Sequence, residues 1–149
     1  MTLDELGAKL LEHTTALDAA QTEITTLTTM FNTKVTEQTT AAAALTTAQA
    51  AAEAASVTVT NIQTKVDEKN TELAAVTALI TAKNKEIFDA TVASRIGGYT
   101  GPSLETLNAE LADMQNQQTT LTNELTTLDA SLTTAESSLT EANAAITTA

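Results

Sequence analysis

Every seventh residue from Leu3 to Ile87 is apolar with one exception: the row reads Leu3, Leu10, Leu17, Ile24, Phe31, Gln38, Leu45, Ala52, Val59, Val66, Leu73, Ile80, Ile87. A companion row three residues on runs from Leu6, His13, Ala20 and Leu27 to Ala90, with Lys34, Lys69 and Lys83 set among small and aliphatic residues. Alternating steps of three and four keep such a stripe on one side of an α-helix. A strict seven-residue period makes helices wind around one another with left-handed twist. The pattern predicts an all-α fold, a long heptad coiled coil whose first helix covers about residues 2–94, roughly 140 Å at 1.5 Å per residue. Thr2 followed by Glu5 has the spacing of a capping box, and Asp4 sits where the helix dipole favours an acid.

The repeat breaks once, at Gly97-Gly98-Tyr99-Thr100-Gly101-Pro102, where three glycines and the only proline fall within six residues. That density of helix breakers predicts a loop. A second helix follows over 103–149, with Ser103 as N-cap and Glu105 in the first turn. Its rows are Leu104, Leu111, Gln118, Leu125, Leu132, Leu139, Ile146 and, three residues on, Leu107, Met114, Leu121, Leu128, Ala135, Ala142, Ala149. The chain therefore divides into a long helix (1–96), a Gly/Pro loop (97–102) and a second helix (103–149).

Composition decides whether these helices can stand alone. Threonine occupies 33 of the 149 positions and alanine 28, against two Phe, one Tyr and no Trp, so a compact aromatic core is excluded. Threonine costs a helix roughly half a kcal/mol relative to alanine, whereas burying a large apolar side chain returns about 1.5–3 kcal/mol. A threonine-rich helix thus needs its apolar seam covered, and self-association is expected. The positions that follow the second row in the first helix carry no charge, which removes the usual code for a heterologous partner. Mixed Leu, Ile and Val in one row and alanine-rich layers in the other point to a parallel homotrimer.

The second helix has two layouts, an in-line continuation or a return along the first helix. Charge favours the return: residues 96–149 hold seven acids and no base, while Lys65, Lys69, Lys83, Lys85 and Arg95 precede the loop. Folding about Tyr99 sets Lys85 near Asp113, Lys69 near Asp129 and Lys65 near Glu136, with Ala149 near residue 50. The expectation is a C-terminal helical hairpin within the oligomer.

Charge and residue inventory narrow the function. A net charge of −12 repels phosphate backbones and anionic lipid, so neither nucleic acid nor membrane is expected as a partner. No apolar run is long enough to span a bilayer, and the first residues are acidic where a signal peptide is basic. With no Cys and one His, no nucleophile–base–acid set can form, and the glycines of the loop lack the Lys-Ser/Thr that completes a phosphate-binding loop. No enzyme and no cofactor are expected. His13, on the axis of an oligomer, could ring a metal or anion, but with Lys34, Gln38, Lys69, Lys83 and Gln118 it reads more simply as one of the polar layers that fix register. Tyr99, the single tyrosine, on the one loop, is the best contact residue, or a plug over the end of the helices.

The cysteine-free, Thr- and Ala-rich acidic heptads of both helices, broken by the glycine loop at 97–102, resemble the fibre and whisker proteins of tailed bacteriophages, the fibritin type among them. The resemblance implies trimeric coiled-coil segments separated by loops, with polar residues in the core. It implies a structural virion protein, a fibre or spacer docked by one end on a capsid or tail protein. The chain lacks the β-rich C-terminal domain that would trimerise such a fibre or bind a receptor, and no functional residue carries over. The alternative is a cellular coiled-coil adaptor or helical-hairpin binding module, cytoplasmic in location.

Overall fold

The computed structural model describes residues 2–149. It holds two helices, α1 (Leu3–Arg95) and α2 (Leu104–Thr148), and no strand among the described residues. The ends are made by the residues that the sequence marks. The Thr2 amide donates to Glu5 Oε2 at 2.7 Å and the Glu5 amide donates to Thr2 Oγ1 at 3.2 Å, a reciprocal capping box. Ser103 caps α2, its Oγ accepting from the Thr106 amide at 3.1 Å.

Along both helices threonine hydroxyls donate to the carbonyl four residues back, as Thr22 does to Asp18 and Thr134 to Ala130, each at 3.0 Å. The hydroxyl is thereby satisfied within its own helix. Of these hydroxyls Thr77's also accepts from Gln118 of the facing helix; the apolar stripe supplies the rest of the contact.

The chain divides into two compact units. In the unit Gln49–Ala144 the two helices run antiparallel. Lys83 reaches Glu110, Gln118 reaches Thr77 and Lys69 reaches Glu124, so one residue number falls as the other rises. Val66, Val76 and Ala90 of α1 and Leu107, Leu121 and Ala135 of α2 are buried. The residues withdrawn from solvent along this unit are those of the two apolar rows, joined only near the loop by Thr91, Ala93 and Tyr99. Leu107 is the largest side chain with no exposure at all. The other unit takes the residues up to Ala48 together with Ala145–Ala149. Here Ala48 is buried, and Leu45 and Ile146 are half-buried. Residues 2–44 are exposed throughout, including every apolar member of both rows.

The return of the chain agrees with the sequence reading, but its register does not. Paired residue numbers add to 193–195, not to the 198–201 that folding about Tyr99 requires, a difference of about one helical turn. Lys69 meets Glu124 in place of Asp129, and Lys85 meets Asp89 of its own helix in place of Asp113. No ion pair joins Lys65 to Glu136. The cause is the way α1 ends. Gly97 takes φ 80°, the left-handed conformation. The Gly98 amide donates to the Ala93 carbonyl at 3.2 Å and the Gly97 amide to the Ser94 carbonyl at 3.4 Å. These are the two bonds of a Schellman stop, which turns the chain at the first glycine pair, before the tyrosine.

Two substitution sets test this account. Leu107→Ala should cost the hairpin about 2–5 kcal/mol in urea or thermal melts followed by circular dichroism, whereas Thr127→Ala on the open face should stay within about 0.5 kcal/mol. At the turn, Gly97→Ala should cost about 1–2 kcal/mol because it forces a side chain into left-handed backbone. Gly98→Ala, with open space around it and no positive φ, should change stability far less.

Candidate functional site

The polar residues that interrupt the apolar rows fall into two groups. The first group lies in the hairpin and is engaged. Lys83 Nζ sits 2.6 Å from Glu86 and 2.7 Å from Glu110, with its side chain only 15% exposed. Lys69 Nζ sits 2.8 Å from Glu72 and 3.1 Å from Glu124, at 32%. Both lysines lie along the apolar stripe by their stems and deliver the ammonium to its edge, where one carboxylate comes from the same helix and one from the other. Gln118 Nε2 donates to Thr77 Oγ1 at 3.1 Å, closing a third cross-helix link. Hydrogen bonds from Lys69 to Glu72 and then Glu124 raise its pKa above the ordinary 10.5, and those from Lys83 to Glu110 and then Glu86 do the same.

The second group lies before Leu45 and faces solvent. Lys34 bonds Glu37 of its own helix at 2.6 Å with its side chain 75% exposed. His13 and Gln38 are exposed, in line with Leu3, Leu10, Leu17, Ile24 and Phe31, whose exposures run from 56% to 89%. Near the first turn Leu3, Leu6, Gly7, Lys9, Leu10 and His13 frame an open apolar hollow. These residues form an uncovered apolar stripe along one side of α1.

Tyr99 is half-buried in the loop. Its ring lies over Gly101, where a Cβ would come within 2.6 Å of the hydroxyl. The ring borders a shallow cleft with Asp89, Ala90 and Ala93 of α1. Among the described residues no three His, Asp or Glu side chains converge on a metal position, and no helix is long and apolar enough to cross a membrane.

Sequence reading found the lysines but missed the glutamates that hold them. A signal was present: each lysine of the second apolar row, Lys34, Lys69 and Lys83, has a glutamate three residues on, although the same spacing also occurs outside the row at 9–12 and 65–68. Compared with known proteins, the chain matches no family model, no curated protein and no solved structure.

Because both lysine pKa values are raised, the contacts at 69 and 83 contribute fully below pH 10.5 and fade as pH climbs through the raised values. The melting temperature should drop above about pH 10.5. A Lys69→Met/Lys83→Met double variant, melted over the same range by circular dichroism, should lose less of its melting temperature.

Proposed function

We propose that this protein is a structural spacer, a coiled-coil element that assembles with copies of itself and performs no catalysis. The observation that carries the reading is the uncovered stripe over residues 3–41. A helix rich in threonine is marginal by itself in water, and its remaining source of stability is burial of that stripe. In the hairpin α2 supplies the cover. Before Leu45 nothing within the chain does, so the cover comes from outside it.

The role that follows is mechanical: assembled helices hold attached partners at a set separation. The acidic, threonine-rich outer surface keeps assemblies from sticking sideways to one another or to nucleic acid. The likeness in style to phage fibre and whisker proteins supports a place in a virion, docked on a capsid or tail protein. A parallel homotrimer through residues 3–41 is one form the assembly can take.

Two measurements test the proposal. Sedimentation of the full chain at tens of micromolar should give a multiple of its 15.5 kDa mass. Leu17→Asp, which buries an unpaired charge at several kcal/mol per chain, should return it to monomer, while Thr26→Asp on the outer face should not. For the virion assignment, mass spectrometry of purified particles should recover the peptide at fixed stoichiometry. A stable monomer at high concentration would remove the spacer reading.

A further inference from the structure

The hairpin shows which residues this chain sets opposite one another. With pairs centred on a sum of 194, each member of the first apolar row faces a member of the second row on the other helix. Lys83 and Lys69 then lie opposite Leu111 and Leu125, Gln118 opposite Val76, and Ala90 opposite Leu104. The layers include lysine with leucine, glutamine with an aliphatic residue and alanine with a large aliphatic residue, besides aliphatic pairs such as Leu73 with Leu121 and one alanine pair, Ala52 with Ala142.

We infer that the stripe over residues 3–41 is occupied by the same stripe of a second copy, running antiparallel, with residue i opposite residue 44 − i of the partner. This rests on the reading of the chain as self-associating and specifies its geometry. The stripe continues the frame that α2 covers from Leu45 onward without slip of phase, and in this one register it is complementary to itself in the same three classes. Lys34 meets Leu10 of the partner copy. Gln38 meets Leu6. Ala20 meets Ile24, and Ala41 meets Leu3, so each small residue faces a large one. His13 meets Phe31, and Leu17 meets Leu27, with the Ala20–Ile24 layers nearest the two-fold axis.

The charges flanking the stripe agree with the layers. In the hairpin, Glu86 and Glu110 come together on Lys83 from the position just before the first row on each helix. The equivalent positions in the proposed pair are Lys9 and Glu37, and they come together with opposite sign, twice. Glu23 meets its own copy at the two-fold axis, and Lys9 of the copy takes the place beside Lys34 that Glu110 takes beside Lys83, so that Glu37 lies between two lysines. A parallel arrangement sets every layer against itself. It stacks Lys34 on Lys34 in a chain whose other row lysines face leucine, and it doubles the bulk at Phe31.

Nitroxide distances test the geometry in the full chain, which has no native cysteine to interfere. Ala8 and Thr36 lie on the outward face, exposed, so Ala8→Cys and Thr36→Cys carry labels without entering the stripe. In the antiparallel pair Thr36 labels lie 28 residues apart along the axis, about 42 Å. A mixture of Ala8-labelled and Thr36-labelled chains gives a short distance of roughly 20–25 Å across two packed helices. A short distance between two Thr36 labels would overturn the antiparallel geometry and leave self-association standing. Long distances in both samples would overturn the register. A monomer in sedimentation would overturn both this inference and the spacer reading beneath it.

Discussion

Burial of one apolar stripe is what the whole chain depends on. Threonine at more than a fifth of the positions taxes helix formation everywhere, through restricted side-chain rotation. Its hydroxyl bonds back to the helix that carries it and, apart from Thr77 accepting from Gln118, adds little between helices. No aromatic cluster, disulfide or buried polar network shares the task. The stripe is covered where α2 lies along α1 and exposed before Leu45. Over Gln49–Ala144 one chain provides both sides. From Leu3 to Ala41 it provides one.

The features legible in the sequence are those set by local rules. Row periodicity depends only on the 3.6-residue turn, so it placed both helices to within about a residue of their ends. The capping box at Thr2 and Glu5 and the cap at Ser103 need three or four consecutive residues and formed as their spacing requires. The return of α2 along α1 was readable from the charge asymmetry about the loop. The register was not. It is decided by which glycine of the loop enters left-handed backbone, and Gly97, Gly98 and Gly101 are equal candidates until the bonds from Gly97 and Gly98 to Ser94 and Ala93 are seen. A shift of two residues in the pivot moves every opposed pair by about one turn, which is why Lys69 meets Glu124 and not Asp129.

The polar interruptions were legible as residues and illegible as contacts. Lys34, Lys69 and Lys83 share one row and one Lys-x-x-Glu spacing, yet two are shielded and one is open. The difference lies in the second helix, which reaches positions 69 and 83 and brings Glu124 and Glu110. Nothing near Lys34 in the sequence records that absence. Tyr99 stood out by being unique, but the ring lies over Gly101, a relation that depends on the backbone path of the loop and not on composition.

Those lysines also answer a problem that a uniform heptad creates. Sliding α2 by seven residues leaves apolar rows facing apolar rows, so burial alone barely distinguishes neighbouring registers. The lysines do distinguish them. One heptad in one direction sets Lys83 beside Gln117 and Lys69 beside Ser131. One heptad in the other sets Lys83 beside Ser103 and Lys69 beside Gln117. In either slip both ammonium groups remain drawn toward the apolar stripe with no carboxylate from the opposite helix. Only the observed register gives each a glutamate across the interface, Glu110 for Lys83 and Glu124 for Lys69. The energy of each contact is small because its carboxylates are nearly half exposed. Selection between registers requires only a difference between otherwise equal alternatives, and two charged layers fourteen residues apart supply it. The polar residues in the stripe thus cost some burial and return a single alignment of the helices.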